Sequence, residues 1–192
     1  MILVRASWLL LLIVLASCAT YQASEICTID TTTGLPVIHA DKLGHSIITS
    51  QKVLITNGSH SFEFYAQLEI ANNQLVLVAM SSLGNKLFQL SGNRATAGIN
   101  TWGVPLDFDA SYLLADLGLI YAKADIIRQC LADTRMPIRF AVPDTHTRIF
   151  KGNDVDIRIE YAGNGEWPDE IHYRNNIMRY EIRVQTLSVD FL

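Results

Sequence analysis

The chain has 192 residues, with 15 Lys and Arg against 19 Asp and Glu for a formal net charge of −4. It holds no basic block, and its aromatic residues are not interleaved with Lys or Arg, so no nucleic-acid partner is expected. Hydrophobic residues make up 49% and charged residues 18%; the first stretch inflates the apolar share, and the remainder has the balance of one globular domain rather than of a disordered chain.

Residues 1–17 carry Arg5, then an apolar run from Trp8 to Ala16, then Ser17 before Cys18. A positive start, a short apolar run and small residues ahead of a cut are the order of a secretory signal. The run falls short of the roughly 20 apolar residues a membrane-crossing helix needs. Polar Thr20, Gln22, Ser24 and Glu25 follow at once. The other reading of the stretch is an uncleaved anchor. Leu15-Ala16-Ser17-Cys18 resembles the lipobox of bacterial lipoproteins, which implies cleavage before Cys18 and acylation of its thiol and new amino group. At about 0.8 kcal/mol per buried CH₂, several acyl chains would make a lasting anchor. Ala19, where inner-membrane retention would need Asp, implies by the same resemblance an outer-membrane protein facing the periplasm. That compartment permits disulfides, so Cys27 and Cys130 either pair or stand as isolated core residues; spacing alone does not decide.

Residues 18–45 show no sustained period and contain Thr31-Thr32-Thr33-Gly34 and Leu35-Pro36, so they are expected to be the lipidated tether and lead-in. The domain proper is expected over 46–192. Phe62, Phe64, Ala66, Leu68 and Ile70 alternate with Glu63, Tyr65, Gln67 and Glu69, the period of a half-buried strand. After a turn at 71–74, Leu75 to Met80 is apolar throughout and predicts a strand covered on both faces. Ser81-Ser82-Leu83-Gly84-Asn85 turns the chain into a third strand over 86–91, making an antiparallel meander.

The period then changes. Leu113, Leu117, Ile120, Ala124, Ile127 and Leu131 lie three and four apart, the stripe of an amphipathic helix. Asp109 or Ser111 would cap its start. Gly118 costs roughly 1 kcal/mol inside a helix, so one bent helix and two short ones both fit the stretch from 111 to 131. Pro137 and Pro143 bound a loop-like segment. Strand period returns with Val155, Ile157, Ile159 and Tyr161, then in a hairpin over 171–184 with its turn at Asn175-Asn176. Beyond it the apolar parity flips near Thr186, the sign of a bulge. Strands, helix, strands in that order predict an α+β fold: a curved antiparallel sheet with a helical lid on its concave face.

Phe62 to Leu90, with Leu83-Gly84 at a hairpin tip, resembles the LolA/LolB-like lipoprotein carriers. The resemblance implies a half-open barrel, a non-catalytic role in binding acyl chains, and a Leu83-Gly84 loop that leans on the membrane or cargo. Leu113-Leu114-Ala115-Asp116-Leu117 and the run from Tyr180 to Leu187 are similar to segments of a proteobacterial lipoprotein family of undefined role encoded beside aryl-polyene pigment genes. The long N-terminal lead and the loop around Trp167-Pro168 depart from the carrier pattern.

No chemistry-bearing motif competes with this reading. His39, His45, His60, His146 and His172 share no metal spacing, so no metal is expected. No nucleophile elbow or glycine-rich phosphate loop occurs, so neither an enzyme nor a cofactor is expected. Asp116, at the edge of the helical stripe, is expected in solvent or paired with a sheet arginine such as Arg158 or Arg183, the other reading being a carboxylate in the cavity. The expected cavity lining is Phe64, Leu68, Leu113, Leu117, Ile120, Ile157 and Ile182. The expected partners are membrane lipid through Cys18, a lipid, lipoprotein or lipid-linked pigment as cargo, and export machinery. The rival functions are a ligand-free scaffold lipoprotein of an export or pigment-assembly machine and an enzyme acting on lipid intermediates.

Overall fold

The computed structural model describes residues 25–30, 34–93, 97–102 and 110–192. Cys18 and the signal stretch, and Asp109 as a cap, lie outside them. Twelve strands are described: β1 (Cys27–Ile29), β2 (Pro36–Ile38), β3 (Ile47–Asn57), β4 (His60–Ala71), β5 (Gln74–Met80), β6 (Lys86–Gly92), β7 (Ala97–Thr101), β8 (Arg139–Asp144), β9 (Thr147–Lys151), β10 (Asp156–Ala162), β11 (Glu170–Asn175) and β12 (Tyr180–Phe191). Two helices, α1 (Ala110–Tyr121) and α2 (Ala124–Thr134), follow β7.

Ten strands form one antiparallel sheet in the order β7-β6-β5-β4-β3-β12-β11-β10-β9-β8. The sheet is thus two meanders, β3–β7 and β8–β12, joined along β3 and β12, the first and last of its strands in the chain. It is curved and not closed. The two helices lie in the connection between its outer strands, β7 and β8, giving an α+β half-barrel with a helical lid.

Alternation builds the inner face. Phe64, Ala66, Leu68 and Ile70 of β4 are buried while Glu63, Tyr65 and Gln67 point outward. Register continues the layer sideways: Leu68 stands beside Thr49 and Leu77, and Leu77 beside Leu90. On the other half Ile157, Ile159, Tyr173, Ile182 and Val184 are buried on the same face. The outward side chains of β5, Val76, Val78 and Met80, are half-buried, so that strand is covered fully on one face only. The parity flip in β12 coincides with a register shift between Thr186 and Ser188.

Two segments differ from the expectation and a third settles an open choice. The lead-in contains β1 and β2, an antiparallel hairpin that packs on α1. The loop-like stretch between Pro137 and Pro143 holds β8, an outer strand, where a proline's missing N–H is tolerated. The stripe from Leu113 to Leu131 is two helices, because Lys123 between them is extended, with φ −63° and ψ 149°.

Glycine permits the close fit of α1. A Cβ on Gly118 would lie 3.3 Å from the backbone nitrogen of Ile38 in β2, and one on Gly92 would lie 2.7 Å from Leu114 Cδ2. The propensity lost at Gly118 is therefore exchanged for close packing of helix on strand. Cys27 of β1 and Cys130 of α2 form a disulfide with a Cα–Cα distance of 5.8 Å. All these described elements fall within residues 25–192.

Candidate functional site

α1 crosses the concave face from the β6 side, where Leu114 meets Gly92, to the β9–β10 side. Beneath it lies an apolar slit of about 40 Å³. Phe64, Leu113, Leu117, Ile120 and Ile182 all line it, together with Val53, Phe88 and Leu90. Leu68 and Ile157, expected in the lining, are instead fully buried in the packed layer beside the slit. Leu113 and Leu117 are only half-buried although they face it.

Polar bonds fasten the helix over this apolar surface. Asp116 is 2% exposed, and its two carboxylate oxygens accept short hydrogen bonds from the hydroxyls of Tyr173 and Tyr180. Asp116 is thus neither solvated nor paired with an arginine, and it lines the slit, as the cavity reading has it. Arg158 pairs instead with Glu160, and Arg183 lies near Glu181. Burial pushes the Asp116 carboxyl up to about 6, against the lowering effect of the two tyrosine hydroxyls. Tyr121 donates to Gln51 Oε1 at 3.0 Å, while Gln51 Nε2 is buried with no partner among the described residues.

The helix end is held as firmly. Arg148 Nη1 donates to the carbonyl oxygens of Leu119, Ile120 and Ala122 at 3.0, 3.2 and 2.7 Å. The Tyr161 hydroxyl donates to the Ile120 carbonyl at 2.6 Å. These carbonyls have no partner within the helix, and a cation there also answers the negative end of the helix dipole. Beyond this end opens a cleft of about 570 Å³ that shares Ile120 and Tyr121 with the slit. Its walls include Lys123, Arg148, His45, His146 and Trp167. Burial, and then Lys123, push the pKa of His45 down.

The Leu83-Gly84 tip stands apart from both. Leu83 is 86% exposed, at the turn between β5 and β6. Gly84 takes φ +79°, a conformation open to glycine at little cost. Ser81 Oγ accepts the backbone N–H groups of Leu83 and Asn85 at 3.3 and 3.2 Å. The sheet's outer face is charged and largely self-satisfied: Glu181 accepts from Arg174 and His172, both at 3.0 Å. Among the described residues no cluster of His, Cys, Asp or Glu could hold a metal, and no helix is long and apolar enough to cross a membrane.

Sequence reasoning did not single out Tyr121, Arg148, Tyr161, Tyr173 or Tyr180 as groups that hold the lid. Tyr161, Tyr173 and Tyr180 occupy inward positions of alternating strands, and a hydroxyl on a core face is the signal that a buried polar partner is waiting opposite.

Solved structures are similar to the chain at low identity. A LolA superfamily protein from Nitrosomonas europaea is similar over 81% of this chain and 94% of its own, at 6% identity and a TM-score of 0.42. A domain assigned to outer membrane lipoprotein sorting, from Vibrio parahaemolyticus, is similar over 76% and 84%, at 8% identity and 0.40. A DUF1329 family protein from Desulfovibrio piger is similar over 79% and 88%, at 8% identity and 0.34. No curated protein matches the chain. The family described as "Protein of unknown function (DUF3261)" matches residues 49–188, and the chain belongs to that family.

Proposed function

We propose that the protein is a lipid-anchored, non-catalytic carrier at the periplasmic face of the outer membrane, taking acyl chains of a lipid, lipoprotein or lipid-linked pigment beneath α1. The observation that carries this reading is the contrast between the apolar surface under α1 and the polar bonds that fasten the helix over it. At about 40 Å³ the slit has room for roughly one water, so an acyl chain enters only when α1 moves.

Release is cheap where the bonds are polar. Each hydrogen bond to Asp116, Tyr121 or the end carbonyls is exchanged for one to water, at a net cost of about 0.5–1.5 kcal/mol. The inner wall left by Phe64, Val53, Phe88, Leu90 and Ile182 is apolar, and covering it with a chain gains about 25 cal/mol for each Å² removed from water. A sixteen-carbon chain therefore offers on the order of 10 kcal/mol before ordering costs. Acylated Cys18 would keep the domain at the membrane, and the exposed Leu83 at a tight polar turn suits contact with the acyl boundary. The neighbouring aryl-polyene genes implied by the segment around Asp116 and by the run after Tyr180 would make a lipid-linked pigment one such cargo.

Native mass spectrometry of the chain from residue 19 onward tests the reading. The expected result is a bound mass identifiable as an acylated molecule, displaced by a fluorescent fatty acid. A mass of the bare chain together with no binding of the fluorescent probe would leave the scaffold alternative.

A further inference from the structure

We propose that the cleft at the C-terminal end of α1 binds the anionic head group of an amphiphile whose tail lies beneath the helix. For the tail the inference rests on the carrier reading above. The head-group site has its own grounds. Lys123 and Arg148 both line the cleft, and Glu166 is the one acid on its described wall. Arg148 is half-buried, and among the described residues no carboxylate lies within ion-pair distance of it. Its recorded partners are the helix-end carbonyls and the Tyr161 ring, 5.0 Å from the guanidinium. Carbonyl dipoles supply about half an elementary charge, so the cation is left partly uncompensated. Burial, which strips water from the guanidinium, lowers the pKa of Arg148.

Trp167 forms another part of the wall. It is 6% exposed. Its ring stacks on Tyr121 with centroids 5.2 Å apart and planes 9° from parallel, and His45 meets its edge at 5.4 Å. Its Nε1 is buried, with no hydrogen-bond partner among the described residues. Position supplies the link to the tail. Ile120 and Tyr121 form part of both the cleft and the slit, so a molecule with its charge at Arg148 and Lys123 would run its chain directly under α1. At about 570 Å³ the cleft has the size of an ordinary small-molecule site. A carboxylate and a phosphate share the required chemistry.

Tryptophan fluorescence of the delipidated chain from residue 19 onward, which retains every described element, separates the outcomes. Palmitate, palmitoyl lysophosphatidate, monopalmitoylglycerol and inorganic phosphate are titrated below their aggregation limits. Both anionic amphiphiles are expected to bind at least tenfold more tightly than monopalmitoylglycerol. Lys123→Gln, whose side chain makes no hydrogen bond or ion pair among the described residues, is expected to shrink that preference severalfold with the melting temperature held; Arg148→Gln is expected to shrink it too, at a lower melting temperature because the bonds to the α1 carbonyls are lost. Equal binding of charged and neutral lipids would overturn the head-group inference and leave the carrier reading standing. Binding of phosphate alone would overturn the amphiphile and the carrier reading together, marking a free-anion site. Absence of all binding would also sink both.

Discussion

Asp116 offers the most direct quantitative test of how the lid is held. Its carboxyl rises from the ordinary 3.8 to about 6 because the folded state buries it. At 1.36 kcal/mol per pH unit, ionising it inside the fold costs about 3 kcal/mol more than ionising it in the unfolded chain. The sign follows from proton binding. Between about pH 4 and pH 6 the folded protein holds a proton that the unfolded chain has released, so this group makes stability fall as pH rises. Above about pH 6 both states are ionised and the loss is complete. Asp41, Asp144, Asp156 and Glu181 have lowered pKa values and act in the opposite direction. They are common to the wild type and an Asp116→Asn variant and cancel in the difference between them. Urea unfolding of both chains from residue 19 onward, followed by circular dichroism at pH 4.0 and 7.5, reads that difference. Relative to the wild type, Asp116→Asn is expected to gain about 2.5 kcal/mol on going from pH 4.0 to 7.5, the rest of the roughly 3 kcal/mol being lost already at pH 4.0, where the unfolded carboxyl is half ionised. Parallel pH dependences in the two proteins would refute the buried, tyrosine-bound carboxyl. A confirmed gain would also mean that neutral pH weakens the hold on α1, since ionised Asp116 gains by leaving with the helix into water.

The other predictions concern anchor, tip and crosslink. An acyl probe is expected to label the wild type in cells and not Cys18→Ala; equal labelling would remove the anchor. Leu83→Glu is expected to leave the melting temperature within a degree or two, as the side chain is 86% exposed, while slowing delivery of bound lipid to liposomes severalfold; unchanged delivery would take the tip out of the mechanism. Cys130→Ala opens a crosslink between residues 103 apart and is expected to lower stability by about 2–5 kcal/mol, read as a fall in the urea midpoint; a midpoint within error of the wild type would show the hairpin held by packing alone.

Much of the sheet is visible in the chain because β4, β10 and β12 alternate apolar and polar residues cleanly. β3 is not visible, for a physical reason. Its inward positions are Ile47, Thr49, Gln51 and Val53, so two polar side chains interrupt the apolar set. Thr49 Oγ1 donates to the Ser188 carbonyl at the bulge, and Gln51 accepts from Tyr121. Both needs arise from distant segments, and no local period announces them. β9 hides in the same way, since Arg148 occupies an inward place beside Ile159 to reach the end of α1. Asp116 shows the limit most plainly. Its environment is made by Tyr173 and Tyr180, 57 and 64 residues away, whereas its sequence neighbours gave only its place at the edge of a stripe. The Leu83 tip was legible because a turn is local: Ser81, Gly84 and Asn85 supply its bonds and its backbone angle.

The seam between β3 and β12 divides the molecule into two contiguous pieces. Residues 25–135 carry β1–β7, both helices and the disulfide, while 136–192 carry β8–β12. No strand interleaves across that division except by the eleven paired positions from Tyr180–Asn57 to Phe191–Ile47. A chain severed after α2 would therefore yield two fragments with one long complementary edge each, able to recombine by strand addition, with the tyrosines of one fragment docking on Asp116 of the other. Such a split protein would turn opening and closing of the half-barrel into a bimolecular equilibrium, measurable by dilution.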